Sequence, residues 1–192
     1  MQALKLWPTP VGIFEHPDFE RINSEILKHD ELRGANWFAK KSVWDLKEEY
    51  PILQEMYDWM LQCSAEYCAE HFGVEYRPEY FAHTHGFINY RGRGEEVMMH
   101  THRLTTLAMT YYVNVTNDTG DIRLLDPRST LGWVSINAGV PYNQYTYKPK
   151  NGTMILFPGW VMHQVVQNQS DQERIALSSN VNLSDECKFG FY

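Results

Sequence analysis

From Tyr76 onward, the helical spacing of apolar residues gives way to short alternating segments broken by turn residues. This change limits the fold more than any other feature of the sequence. It predicts eight strands, at about 79–90, 95–102, 105–115, 121–126, 143–148, 153–157, 162–168 and 173–183. Turn sequences such as 117–120 and 149–152 separate them. We therefore expect a mainly β protein with flanking helices, built as a double-stranded β-helix, which is the jelly roll of cupin-like proteins.

Two helices are predicted before this region. One begins near Pro17 and ends near His29, and the other begins at Pro51, a residue suited to the first helical position, and closes at Gly73. The segment 30–49 is predicted to be a loop. With 192 residues the chain has the length of one domain. We expect a single domain over 1–192, with 1–75 as a helical support region and 76–183 as the jelly-roll core.

Composition narrows the class of partner. The net charge is −7, and the 17 basic residues are scattered along the chain. A general nucleic-acid binder carries a basic patch, so we expect no nucleic acid as partner. The sequence shows no apolar run of signal-peptide or membrane-span length, which predicts a cytoplasmic protein without membrane partners, in the host cytoplasm if the chain is viral. Exposed edge strands are compatible with a homodimer.

The strongest chemical signal is His100-Thr101-His102, together with His163 some sixty residues later. In an extended segment alternate side chains share a face, so His100 and His102 can point to the same place. His163 follows the turn at Phe157-Pro158-Gly159 in an apolar segment. Two neighbouring ligands and one distant ligand are typical of a mononuclear iron site with open positions. The alternative is that these histidines are buried hydrogen-bonding residues.

A second pair, His83 and His85, has no distant partner histidine. We therefore interpret this pair as structural or pocket-lining. The aromatic segment 133–147 lies between predicted strands, where it could form a lid over a site or serve as ordinary strand and turn residues.

Several ordered motifs resemble a family of short iron(II)/2-oxoglutarate oxygenases of bacteria and phages. They are Asn89 and Gly94, His100-Thr101-His102, Tyr111-Tyr112-Val113, Gly120-Asp121, Asp126-Pro127-Arg128, Gly152 to Trp160, His163 and Arg174-Ile175-Ala176. The chain is more loosely similar to prolyl hydroxylases, which carry a tyrosine about ten residues before the first iron ligand. That tyrosine corresponds to Tyr90, and Tyr111-Tyr112-Val113-Asn114 matches a strand of those enzymes.

The resemblance implies an enzyme, an iron(II)- and 2-oxoglutarate-dependent dioxygenase that hydroxylates a substrate and releases succinate and CO2. It implies iron(II) on His100, His102 and His163, and it assigns the distal carboxylate of 2-oxoglutarate to Arg174 and Tyr112. Asn89 and Tyr90 are its further candidates for binding the co-substrate. A guanidinium that opens an apolar strand independently suits a buried carboxylate. The implied partners are dioxygen and a small molecule or a protein side chain, which the sequence does not identify.

One position departs from the wider superfamily, which places Asp or Glu where this chain has His102. Either His102 binds the metal, giving three neutral ligands, or a carboxylate such as Asp126 replaces it. We interpret Asp126 as a turn or substrate-loop residue. Two other functions stay open: a three-histidine iron dioxygenase that needs no 2-oxoglutarate, and a non-catalytic jelly-roll binding module.

Overall fold

The computed structural model describes residues 8–34, 41–128 and 143–184. Within these ranges the chain forms two α-helices and nine strands, and both helices lie between the first and second strands in the sequence. The helices are α1 (Phe19–Ile26) and α2 (Pro51–Phe72), with three short 3-10 helices at Asp30–Gly34, Val43–Leu46 and Pro78–Tyr80. The strands are β1 (Gly12–Glu15), β2 (Phe81–Arg91), β3 (Val97–His100), β4 (Leu107–Asn114), β5 (Ile122–Leu125), β6 (Gln144–Tyr147), β7 (Thr153–Pro158), β8 (His163–Val165) and β9 (Arg174–Leu183).

All eight strands predicted after residue 76 are present, with ends that differ from the prediction by at most three residues. Helix α2 begins with Pro51 in its first turn and ends at Gly73, which adopts a left-handed conformation with φ of 66°. The segment 30–49 was predicted as loop, and its described part instead contains two 3-10 helices, where Trp44 is buried. Of the aromatic segment 133–147, residues 133–142 lie outside the described part of the chain and 144–147 form β6.

The strands form two antiparallel sheets. The larger sheet has the order β1-β7-β4-β9-β2, and the smaller sheet has the order β3-β8-β5-β6. From β2 to β5 and from β6 to β9, consecutive strands alternate between the two sheets, as in a double-stranded β-helix, which confirms the predicted fold class.

Alternate residues of the larger sheet serve two different cores. One face packs against the helices, through residues such as Met109, Tyr111 and Leu177. The other face looks across to the smaller sheet, and its buried residues include Tyr112, Phe157 and Ala176. The side chains between the two sheets form the interior of the barrel, and the candidate site lies there. None of the helices in residues 8–34, 41–128 and 143–184 has the length and apolar character needed to cross a membrane.

Candidate metal centre and co-substrate pocket

Three histidines converge at one end of the barrel. His100 ends β3, His163 begins β8, and the two are directly opposite each other in the antiparallel ladder. His102 lies two residues beyond β3. A ring nitrogen from each of the three histidines lies within 4.8 Å of those of the other two. His163 is buried and the other two are half-buried, so the cluster has one side open to solvent.

The direction of His100 depends on a β-bulge. Val97 pairs with Val165 and His100 pairs with His163, so three steps along β3 correspond to two steps along β8. In a regular ladder Met99 would face His163, and His100 would point out of the barrel. The extra residue turns His100 inward, a use of bulges that is common next to active sites.

His102 reaches the cluster in a different way from the sequence prediction. It does not continue the alternation of a strand, because β3 ends at His100. Its backbone N–H donates to the Gly159 carbonyl at 2.8 Å, and its Nδ1 lies 2.6 Å from Oδ1 of Asn180 on β9. Asn180 was not recognised from the sequence, although a polar residue inside a strand that is buried on both faces was a usable signal.

Each Nδ1 atom faces an oxygen that only accepts hydrogen bonds. His100 Nδ1 donates to the Met98 carbonyl at 2.7 Å, and His163 Nδ1 donates to the Val161 carbonyl at 2.9 Å. His102 Nδ1 donates to the Asn180 amide oxygen. In a neutral imidazole a proton on Nδ1 leaves Nε2 as an acceptor. When neutral, each of the three rings therefore presents an unprotonated Nε2.

These nitrogens face one another without a proton between them. Nε2 of His102 and Nε2 of His163 are 3.3 Å apart. Burial lowers the pKa of His163 to about 3 and also lowers the pKa of His102, with the neighbouring His100 adding to the effect. Two lone pairs at this distance repel unless a cation lies between them, and partners on the second nitrogen are typical of metal-binding histidines. The residues therefore fit a divalent metal ion.

Asp126 does not join this cluster. Its carboxylate accepts hydrogen bonds from the backbone and the guanidinium of Arg128, and this ion pair lowers the pKa of Asp126. The metal-binding group found among the described residues contains histidines and no carboxylate. The structure thus brings His102, and not Asp126, to the other two histidines.

Arg174 lies deep in the same barrel. It is the first residue of β9 and is 2% exposed, with its Cζ atom 5.2 Å from the centre of the Tyr112 ring. Arg174 Nε and Nη2, and the Tyr112 hydroxyl, have no hydrogen bond of ordinary geometry to any described residue. Burial lowers the pKa of Arg174 and raises that of Tyr112. Buried guanidinium donors without hydrogen-bond acceptors are costly, so this pocket suits an anion that accepts hydrogen bonds.

The structure separates the two other residues that the resemblance proposed for co-substrate binding. Asn89 faces the barrel interior, where its amide donates to Ser178 Oγ at 3.1 Å. Tyr90 belongs to the opposite face of β2, because neighbouring strand residues alternate. Its ring packs toward the helices beneath the guanidinium of Arg33, at 3.9 Å. Tyr90 is therefore not brought to the site.

The second histidine pair has a separate environment. His83 packs on the helical side of the larger sheet, where its ring nitrogens contact Ser179 Oγ at 2.7 Å and the Tyr57 carbonyl at 3.1 Å. Burial lowers the pKa of His83 to about 4. The ring of His85 lies 5.7 Å from that of Phe87. Neither histidine belongs to the metal-binding group found among the described residues.

Solved structures show what this fold is similar to. The α-ketoglutarate-dependent epimerase SnoN from nogalamycin biosynthesis covers 91% of this chain and 78% of its own, with 12% identity and a TM-score of 0.64. EctD from S. alaskensis with bound iron covers 91% and 73%, with 15% identity and a TM-score of 0.64. A prolyl-4-hydroxylase from Pseudomonas putida covers 90% and 86%, with 15% identity and a TM-score of 0.58. No curated protein sequence matches the chain.

These likenesses place the fold among the double-stranded β-helices of 2-oxoglutarate-dependent oxygenases. Residues 87–180, which contain the three histidines and Arg174, match a family described as "Putative 2OG-Fe(II) oxygenase". This segment thus resembles a family of enzymes that use iron(II) and 2-oxoglutarate. The resemblance found in the sequence motifs is thereby confirmed.

Proposed function

We propose that this protein hydroxylates a C–H bond of its substrate at an iron(II) ion held by His100, His102 and His163, with 2-oxoglutarate bound by Arg174 and Tyr112. The observation that carries the proposal is one barrel that contains three convergent Nε2 atoms and a buried guanidinium with two nitrogens, Nε and Nη2, that lack a hydrogen-bond partner. Iron(II) with 2-oxoglutarate supplies dioxygen activation, in which the co-substrate is converted to succinate and CO2 while the substrate gains a hydroxyl group.

The protein's own contribution is positioning and charge. The partners on Nδ1 keep each Nε2 aimed at a common point, so little reorganisation is needed when a metal binds. Three imidazoles are neutral ligands, so an iron(II) site here carries a net charge of +2. This charge and the Arg174 guanidinium both favour a dianionic co-substrate.

The interior face of β9 connects these two regions. Arg174, Ser178 and Asn180 share that face, and Ser178 Oγ contacts both Asn89 Nδ2 and Thr110 Oγ1, at 3.1 and 3.0 Å. On the neighbouring strand β2, Arg91 lies directly beside Arg174 in the antiparallel ladder, which adds a second cation on the same face. The path from the histidines to Arg174 is thus polar on one side, and it supports a co-substrate with an anionic group at its far end.

The all-histidine ligand set also keeps the three-histidine dioxygenase as a second candidate. Arg174 favours the first candidate, because an enzyme without a carboxylate co-substrate has no evident use for a buried guanidinium with two unsatisfied donors. The substrate and dioxygen are the expected partners. The predictions of a single domain over 1–192, a cytoplasmic location, a homodimer and no nucleic-acid partner remain predictions.

The test is an anaerobic titration of the iron(II)-loaded protein with 2-oxoglutarate, followed by the visible charge-transfer band of the chelate. We expect the band to saturate at one co-substrate per chain. Arg174→Ala should weaken 2-oxoglutarate binding by about 1.5–3 kcal/mol, the scale of a lost charge-assisted hydrogen bond. Arg93→Ala, which removes an exposed guanidinium paired with Asp171, should leave the affinity unchanged.

Each outcome points to a different candidate. Bound iron with no band would favour the three-histidine dioxygenase. A normal band with unchanged affinity in Arg174→Ala would show that the carboxylate is bound elsewhere. His163→Ala should bind no iron, and stoichiometric iron in that variant would contradict the proposed ligand set.

A further inference from the structure

Leu104 has an unusual backbone conformation beside the metal centre. Its φ is 56°, and it is the one non-glycine residue with positive φ in residues 8–34, 41–128 and 143–184. A leucine in this left-handed region is strained by its Cβ atom. Its side chain is also 95% exposed, the highest value among the large apolar residues of the described chain. Neither the strain nor the exposure is explained by packing in this structure.

Asn182 holds the conformation in place. Its Nδ2 donates to the Leu104 carbonyl at 3.0 Å, and its Oδ1 accepts from the Thr106 N–H at 2.8 Å. One side chain near the end of β9 therefore binds the loop on both sides of its turn. Strained residues that the surroundings maintain in this way are concentrated at functional sites.

The loop forms one wall of a shallow surface cleft beside His102. The cleft has a volume of about 680 Å³, and Leu104, Trp160 and His102 are among the residues that line it. Trp160 is 52% exposed. The turn that carries Trp160 is bound to the loop through Gly159, which accepts from His102 N–H at 2.8 Å and donates to the Thr106 carbonyl at 3.0 Å. Two exposed apolar side chains are thus held beside a half-buried metal-site histidine.

The charge of the cleft is positive. Arg103 lines it, and no Asp or Glu is among the described residues that do so. Arg103 forms no ion pair with a carboxylate in the described part of the chain. The cleft therefore combines apolar surface with a single available guanidinium.

We propose that this cleft binds the substrate, and that the substrate is a small amphiphile, with an alkyl or aryl group against Leu104 and Trp160 and an anionic group beside Arg103. The proposal rests on the function proposed above, because it takes the reactive C–H bond to lie next to His102. Contact with such a group would remove the exposed Leu104 side chain from water. This contact would explain why the loop keeps Leu104 in a strained and exposed conformation. Leu104 is on this view a specificity-determining residue.

Octanoate and octylammonium are suitable probes, because they share one alkyl chain and carry opposite charges. Their binding to the anaerobic complex with iron(II) and 2-oxoglutarate is measured by calorimetry, while the charge-transfer band reports whether 2-oxoglutarate stays bound. We expect octanoate to bind more tightly than octylammonium without loss of the band. Arg103→Gln should remove that preference.

Leu104→Asn separates a substrate contact from a structural role. Asparagine tolerates the left-handed region, so the variant should melt about 2–4 °C higher than the wild type. Octanoate affinity should nevertheless fall about tenfold, since apolar contact is lost, while the 2-oxoglutarate band stays unchanged. Leu27→Asn is the matched control, because Leu27 is 45% exposed at the end of α1 with φ of −70°. It should not change octanoate binding.

The outcomes distinguish this proposal from the function on which it rests. If the wild type shows no band, the proposed function fails and the substrate class fails with it. If the band appears and octanoate either does not bind, displaces 2-oxoglutarate, or binds Leu104→Asn as well as the wild type, the proposed function stands and the amphiphile cleft is wrong.

Discussion

At the scale of single residues, Asn180 has the most informative position. Its side-chain oxygen lies 2.6 Å from Nδ1 of His102, and the residue is 9% exposed. His102 is outside any strand, so its ring orientation depends on this contact and on the backbone bond to Gly159. Groups that bind the second nitrogen of a metal-binding histidine fix both its tautomer and its direction.

Asn180→Ala should therefore weaken iron(II) binding by about 10- to 100-fold, the usual effect of losing such a partner. Asn180→Asp keeps an acceptor oxygen at the same place and should retain most of the affinity. Competition with a metal-sensitive dye under anaerobic conditions measures both variants. Equal affinities in Asn180→Ala and the wild type would show that Gly159 alone is sufficient to orient His102.

At the scale of elements, the turn between β7 and β8 organises the open end of the barrel. Gly159 bonds to the loop after β3 in both directions, accepting from His102 and donating to Thr106. A Cβ atom at Gly159 would lie far inside contact distance of the Thr105 carbonyl oxygen. The absence of a side chain at this position is what allows the turn and the loop to approach so closely.

Gly159→Ala should consequently lower the free energy of unfolding by about 1–3 kcal/mol, the range for overpacking a close contact. It should also weaken iron(II) binding, because the loop must move and His102 moves with it. Gly92→Ala is the matched control, since a Cβ atom there has its nearest neighbour, Glu95 Oε2, at 3.6 Å. Urea unfolding and metal titration of both variants make the comparison, and equal effects in the two would refute the close-contact explanation.

At the scale of the whole molecule, the larger sheet separates a helical core from the interior that contains the site. His83 belongs to the helical side, where burial lowers its pKa to about 4. In the unfolded chain its pKa is about 6.5. Between these values the unfolded state binds a proton that the folded state does not, so stability falls as the pH falls from about 6.5 to 4.

The contribution of His83 to this loss should be about 2–3 kcal/mol. We expect His83→Gln to show a smaller decrease in unfolding free energy between pH 7 and pH 4.5 than the wild type. The measurement is urea unfolding with a chelator present, so that metal release does not add to the pH dependence. His71→Gln, which changes an exposed histidine at the end of α2, should keep the wild-type slope. An unchanged slope in His83→Gln would mean that His83 is protonated in the folded protein.

Much of the architecture could be predicted from local patterns. Strand positions follow from alternation over a few residues, and the helix at 51–72 follows from Pro51, its apolar spacing and Gly73. The candidate ligands His100, His102 and His163 could be proposed from residue type and spacing, and the candidate anion-binding residue Arg174 from the resemblance to the oxygenase family. These features depend on chemistry and geometry within short stretches of chain, which the sequence records directly.

Other features depended on partners that are distant in sequence. The bulge between Val97 and His100 depends on pairing with β8, and the contact of His102 depends on Asn180, 78 residues away. Tyr90 matched a motif, yet its place in β2 turns it toward the helices. Register and strand pairing decide which face a side chain occupies, and a one-residue difference reverses that face. The sequence alone therefore determined which residues were available for an iron and 2-oxoglutarate site, whereas the tertiary structure decided which of them meet.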